Sequence, residues 1–290
     1  MVFRRKWVKI GVVAGLLLLL SPLIMVNCMS FGPSAKKIQT TFDQAGVTPV
    51  RETLTYASGK VHTVATGSAD KPLVIFVHGS PGGWHNNLAY LTDEQLLAEA
   101  HMVAIDRPGF GLSDRGAVQP SQAVQAAAVA AVIKRYPSPR KAILVGHSLG
   151  GPVIARVAMD YPDLVGHLVM VAPSIDPELE KIKWFQYPAT WRVLNWMIPI
   201  DLLTTNREIL PLKGELEHMI PMWPAIQAPT TVFHGTADKL VPYENAEFAK
   251  RMMTSAPVNI IKLEDQNHFI LWSHHVLIRD HLLATIRGEN

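Results

Sequence analysis

Short unbroken apolar runs, rather than alternating ones, mark the middle of this chain. Residues 73–77, 102–105, 141–145, 168–171, 230–233 and 258–263 are each four to six residues long and largely apolar or β-branched. Such runs read as strands buried on both faces, the condition of central strands in a parallel sheet. Residues 151–159, small and apolar, read as a helix directly after the 141–145 strand. Strand-helix alternation predicts one α/β domain, a mostly parallel sheet with helices on both faces. The alternation breaks at residues 174–224, which is too long for a loop. Helical stretches are expected there at 178–184 and 214–220. The same insertion carries Trp184, Phe185, Tyr187, Trp191, Trp196 and Trp223. Its aromatics fit an apolar pocket, the packing of the insertion on the body, or, with Trp191, Trp196, Met197 and Ile198, a membrane interface.

The N-terminus has a different pattern. Arg4, Arg5, Lys6 and Lys9 precede an apolar run from Ile10 to Val26. A cationic start before an apolar core is an export signal. As a helix the run would span ~25 Å, short of a ~30 Å bilayer core but tolerable with its flanks. Residues 1–30 are therefore expected to be a signal or membrane anchor, with retention as an anchor preferred. Cys28 offers lipidation as the alternative, although Asn27 departs from the usual lipoprotein pattern; cleavage and secretion is the third option. All three place the folded domain on the extracytoplasmic side. The four cations account for the whole of the formal charge of +3: without them 23 Lys and Arg face 24 Asp and Glu, a net of −1. That near balance argues against a nucleic-acid surface. Cys28 is the single cysteine, so no disulfide forms within the chain. No repeats, metal-ligand spacing or phosphate-binding loop stand out, and no cofactor or metal is implied.

Gly146-His147-Ser148-Leu149-Gly150 joins the 141–145 strand to the 151–159 helix. Serine at the apex of a strand-turn-helix is the context of a nucleophile elbow. Its hydroxyl would stand at a helix N-terminus, where backbone N–H groups favour negative charge. A serine needs a base, and the base needs an orienting group. His268 follows the 258–263 strand and is the candidate base. Asp238 ends the turn His234-Gly235-Thr236-Ala237-Asp238 after the 230–233 strand and is the preferred acid. Asp176, after the 168–171 strand, is the alternative. His147 and His234 flank strand ends, and His274 and His275 are expected to be solvated on a terminal helix.

Five segments in order resemble the α/β-hydrolase superfamily: His78-Gly79-Ser80-Pro81-Gly82-Gly83, Asp106-Arg107-Pro108-Gly109-Phe110-Gly111-Leu112-Ser113, the elbow, His234 to Asp238, and Asn267-His268-Phe269. The resemblance spans roughly residues 50 to 287. It is closest to the cap-bearing, esterase-like and peroxidase-like members. It implies an α/β-hydrolase core at 50–173 and 225–287, with 174–224 as a helical cap. It also implies an oxyanion hole from the backbone N–H groups of Ser80 and Leu149. His78 then organises its loop, and Asp106 and Arg107 stabilise a turn. Serine at the elbow, where haloalkane dehalogenases and epoxide hydrolases carry Asp, implies acyl transfer. The expectation is a serine hydrolase, with Ser148, Asp238 and His268 as triad, cleaving a small-molecule carboxylic ester with an apolar part. A cofactor-free haloperoxidase or perhydrolase, or an acyltransferase, uses the same triad and is the alternative.

Overall fold

In a computed structural model, which describes residues 32–191 and 195–289, eight strands form one sheet. They are β1 (Val50–Tyr56), β2 (Gly59–Thr66), β3 (Leu73–Val77), β4 (His101–Asp106), β5 (Ala142–His147), β6 (Val165–Val171), β7 (Thr230–Gly235) and β8 (Val258–Leu263). The order across the sheet is β1-β2-β4-β3-β5-β6-β7-β8. β1 and β2 form an antiparallel hairpin, and β2 is antiparallel to β4. From β4 onwards all neighbours are parallel. The helices are α1 (Ala35–Gln44), α2 (Leu88–Leu91), α3 (Glu94–Glu99), α4 (Gln122–Arg135), α5 (Gly150–Asp160), α6 (Ile200–Ile209), α7 (Leu212–Met219), α8 (Glu244–Met252), α9 (Ile270–Ser273) and α10 (His275–Arg287).

The apolar runs become strands because the sheet is covered twice. In β3, Leu73, Ile75 and Val77 face a core shared with Val129 and Val132 of α4 and Val153, Ile154 and Val157 of α5. Val74 and Phe76 face the opposite core, with Phe42 of α1, Leu91, Leu96, and Ile278 and Leu282 of α10. Successive side chains of a strand point to opposite faces, so two cores demand five apolar residues in a row. β2 differs: it buries His62, Thr63 and Thr66 among its apolar positions, so the hairpin gives no apolar run.

β4 lies on one side of β3 and β5 on the other. The chain leaving β3 turns towards β4, and the chain leaving β5 turns towards β6. Their loops diverge and leave a crevice at the carboxyl ends of β3 and β5, where open α/β sheets bind ligands.

Between β6 and β7 the described chain has no strand, only α6, α7 and short 3-10 turns. The 214–220 helix is present as α7. The helix expected at 178–184 is not. Ile175 and Asp176 N–H both donate to Asn245 Oδ1 at 2.8 and 2.9 Å, and Glu178 N–H donates to Asp176 Oδ1 at 3.0 Å. The Ser174 hydroxyl is taken by Glu180. These side-chain bonds offer the backbone an alternative to helix. Trp223 is fully buried and meets Phe248 edge-on at 5.4 Å. Trp184, Tyr187, Trp191 and Trp196 instead stand exposed. The expected N-terminal anchor falls outside the described residues. Among the described residues no helix is long and apolar enough to cross a membrane.

Phe76 sits at zero exposure on the central strand, 5.3 Å from the Tyr90 ring. Phe76→Ala should cost about 3–5 kcal/mol of stability, the range for emptying a large aromatic site in a packed core. Urea unfolding of the two proteins measures the difference.

Candidate active site

The turn between β5 and α5 is tight enough to dictate its residues. Ser148 has φ +53°, in the left-handed region that non-glycine residues rarely adopt. A Cβ on Gly146 would lie 2.5 Å from Gly150 O, and one on Gly150 would lie 2.2 Å from Val77 O. Neither position tolerates a side chain. Ser148 N–H donates to Val171 O at 3.0 Å, and Ser148 O accepts from Gly151 N–H at 2.9 Å. These bonds hold the strained residue on the neighbouring strand. The loop after β3 passes over the turn: a Cβ on Gly79 would sit 2.9 Å from Ser148 Cβ. Leu149, directly before α5, places its N–H at the helix start, where backbone donors lack intrahelical partners.

Asp238 and His268 come together from the ends of β7 and β8. His268 Nδ1 lies 2.7 Å from Asp238 Oδ2, and both side chains are nearly fully buried. A carboxylate only accepts, so Nδ1 carries the proton and Nε2 is left as an acceptor. Asp238 Oδ1 accepts N–H bonds from Leu240 and Val241, each at 2.9 Å. Burial pushes the Asp238 carboxyl up. The His234 ring beside it, the hydrogen bond from His268 and the His268 charge outweigh it, and the group is held well below the usual carboxylate range. No hydrogen bond joins Ser148 Oγ to the His268 ring in this structure. Catalytic bonds of this kind often tighten only around substrate. The two residues are linked through His147, whose Nε2 donates to His268 O at 3.3 Å and whose ring lies 4.9 Å from the His268 ring.

Three residues acquire roles that sequence reasoning did not assign. His234, fully buried, places Nε2 3.6 Å from Asp238 Oδ2 while donating to Val241 O at 3.0 Å. His147 meets Trp272 edge-on at 5.1 Å. Burial, then the His268 charge, pushes its pKa down to about 3, so it stays neutral. Glu208, on α6 of the insertion, pairs with Arg107 at 2.5 Å, both side chains 1% exposed. Arg107 therefore anchors the insertion as well as its own turn. Glu208 lies in none of the sequence motifs, which left no signal for it.

The other candidates fall into place. His78 is completely buried; Nδ1 donates to Gly79 O at 2.6 Å and Nε2 accepts from Arg107 N–H at 2.8 Å. Burial and the Arg107 charge hold it neutral, as a loop organiser. Asp106 accepts from Trp84 and Leu112 N–H, each at 2.9 Å. Asp176 lies 3.8 Å from Arg251. His275 is not solvated: its ring packs 4.8 Å from Tyr90. Exposed Leu240, Phe269 and Trp272 flank the residues that hold Asp238, His268 and His147. A cavity of about 270 Å³ lies nearby, lined by Pro81, Gly82, Trp84, His85, Asp106, Gly111, Leu112, Arg115 and Asp201. Its wall includes none of Ser148, Asp238 and His268. Among the described residues no three His, Cys, Asp or Glu side chains are grouped to hold a metal ion.

Comparison with known proteins agrees with this architecture. Residues 72–195 match the family model of the alpha/beta hydrolase fold. A 2-hydroxy-6-oxononadienedioate/2-hydroxy-6-oxononatrienedioate hydrolase of Pseudomonas sp. is 25% identical over 254 residues, 75% of this chain and 88% of that protein. Among solved structures, a bacterial membrane phospholipase A superposes with a TM-score of 0.67 at 18% identity, over 99% of this chain and 98% of that one. An aryl esterase from Burkholderia cenocepacia, itself assigned only provisionally, superposes with a TM-score of 0.66 at 20% identity, over 83% and 99%. The superpositions carry the fold alone. The chain has the α/β-hydrolase fold, and residues 72–195 carry the match to the family model of that fold.

The Asp238 bonds make a pH signature. Its folded pKa lies below the unfolded value of about 4. That difference stabilises the fold above the unfolded pKa and is lost as pH falls through the folded one. Asp238→Asn should therefore melt below the parent at pH 7, and the gap should narrow on acidification below about pH 4. Melting temperatures of both proteins from pH 7 to pH 3 check this.

Proposed function

We propose that the protein is a serine hydrolase cleaving a carboxylic ester with an apolar part, through an acyl-enzyme. The observation that carries the reading is the 2.7 Å Asp238–His268 pair, with Nε2 free to accept, beside a serine held at φ +53° on an elbow. Ser148 Oγ attacks the ester carbonyl while its proton passes to His268 Nε2. Asp238 orients the ring and stabilises the imidazolium. The N–H groups of Leu149 and Ser80 receive the oxyanion. A donor so placed lowers the barrier by about 3 kcal/mol. His268 returns the proton to the leaving alcohol, and the C–O bond breaks. Water then attacks the acyl-enzyme with His268 again as base. Exposed Leu240, Phe269 and Trp272 beside the acid-base pair suit an apolar acyl or alcohol group.

The reading includes membrane association. Residues 1–30 act as a retained anchor and hold the domain on the extracytoplasmic side. The cationic start, the apolar run and the exposed Trp191, Trp196 and Met197 support it. The full chain should stay in the membrane pellet after an alkaline carbonate wash, and its domain should be open to protease added outside the cytoplasm. Recovery in the soluble fraction would remove the anchor.

Hydrolysis of p-nitrophenyl esters of graded acyl length, by the full chain in detergent, tests the chemistry. Ser148→Ala should lower kcat by about 10⁴-fold or more, as loss of a triad nucleophile does. Activity surviving in Ser148→Ala would rule out the acyl-enzyme. Turnover that needs added peroxide would point to perhydrolysis on the same residues.

A further inference from the structure

Arg107 is bonded beyond the needs of a turn. Its Nε donates to His78 O at 2.8 Å, and Nη2 donates to Gly79 O at 3.2 Å and to Ser80 Oγ at 2.5 Å. One planar guanidinium thus grips three successive residues of the loop after β3. The guanidinium is held from the other side by the insertion. Glu208 Oε1 accepts from Arg107 Nη1 at 2.5 Å and from Gln125 Nε2 at 2.6 Å. Glu208 Oε2 accepts from Arg107 Nη2 at 3.0 Å and from the Ser80 hydroxyl at 2.6 Å. Gln125 Oε1 accepts from Arg107 Nη1 at 2.7 Å. Ser80 donates its single hydroxyl proton to Glu208 and accepts from Arg107, so its side chain has one orientation. The N–H assigned to the oxyanion belongs to this residue.

We propose that Glu208 is a positioning residue: together with Arg107 it fixes Ser80 through its hydroxyl, and so aims the Ser80 N–H at the oxyanion. This rests on the serine-hydrolase reading. The consequence is that the oxyanion hole is complete only while α6 is docked, because half of the clamp comes from the insertion. A carboxylate suits this task better than an amide. It accepts from Ser80, Gln125 and both guanidinium nitrogens at once, and presents no donor to compete.

Kinetics and binding of phenylboronic acid test the proposal. Boron captures the serine oxygen and places a negative oxygen where the oxyanion forms, whereas KM reports the uncharged ester. Ser80→Ala removes one hydroxyl and leaves its N–H and the Arg107–Glu208 pair. Ser80→Ala and Glu208→Gln should each lower kcat by about 10-fold, since small misplacements of a catalytic group are expensive. KM should change by less than about twofold, and the boronate should bind about 10-fold more weakly. Asp201→Ala is the control. It cuts the Arg115–Asp201 pair (2.9 and 2.8 Å) at the other end of α6, and should keep kcat within about twofold. Unchanged kcat and boronate affinity in Ser80→Ala would overturn the proposal. So would an equal loss in Asp201→Ala, which would reduce Glu208 to a docking contact. If Glu208→Gln does not fold, Ser80→Ala decides alone. Turnover retained in Ser148→Ala would instead sink the serine-hydrolase reading itself, a separate result.

Discussion

The close approach of α5 to β3 is the constraint on which the site depends. Gly150 comes so near Val77 O that a Cβ would lie 2.2 Å away. That contact brings the start of a helix against the end of a central strand. Only Ser148 and Leu149 lie between strand and helix, and Ser148 sits at φ +53°. Strain of this kind persists only where the surroundings over-determine it. Here Val171 O and Gly151 N–H hold the backbone of Ser148 on both sides. Ser148 itself is nearly fully buried there.

A second constraint is electrostatic. Arg107 and Glu208 are both 1% exposed. Leaving either charge without its partner in such a place costs about 3–5 kcal/mol. The pair therefore does not exist half-made, and α6 and the loop after β3 are joined as one unit. Gln125, reaching in from α4, fills the remaining Glu208 acceptor position and ties the unit to the body. The surface pair Arg115–Asp201, with Arg115 nearly half exposed, adds little by comparison.

The central sheet was legible because burial on both faces leaves a mark in one dimension: an apolar run. β3 shows it in all five residues, and each of the six runs became a strand. The elbow was legible because its geometry admits few residue types. β1 and β2 were not: β1 buries no residue fully, and β2 carries buried His62, Thr63 and Thr66 among its apolar positions. The segment at 178–184 has helix-forming composition, but Asn245, distant in sequence, captures the backbone just before it. Asp238 and His268 could be placed at strand ends but not measured against each other. Glu208 could not be found at all. An acidic residue on an amphipathic helix reads as a solvated one, and only the fold brings Arg107 to it.

The distribution of charge around His268 completes the picture. His78 and His147 are buried close by, and burial holds both neutral. Arg107 is occupied by Glu208 and the loop carbonyls. Asp238 is then the one anion in contact with the His268 ring among the described residues. Its own charge is kept by two backbone N–H groups and by His234. A proton arriving on His268 is therefore stabilised at a fixed place, by a partner that is already ionised and already aimed. The neutral histidines add no positive charge that would oppose one on His268.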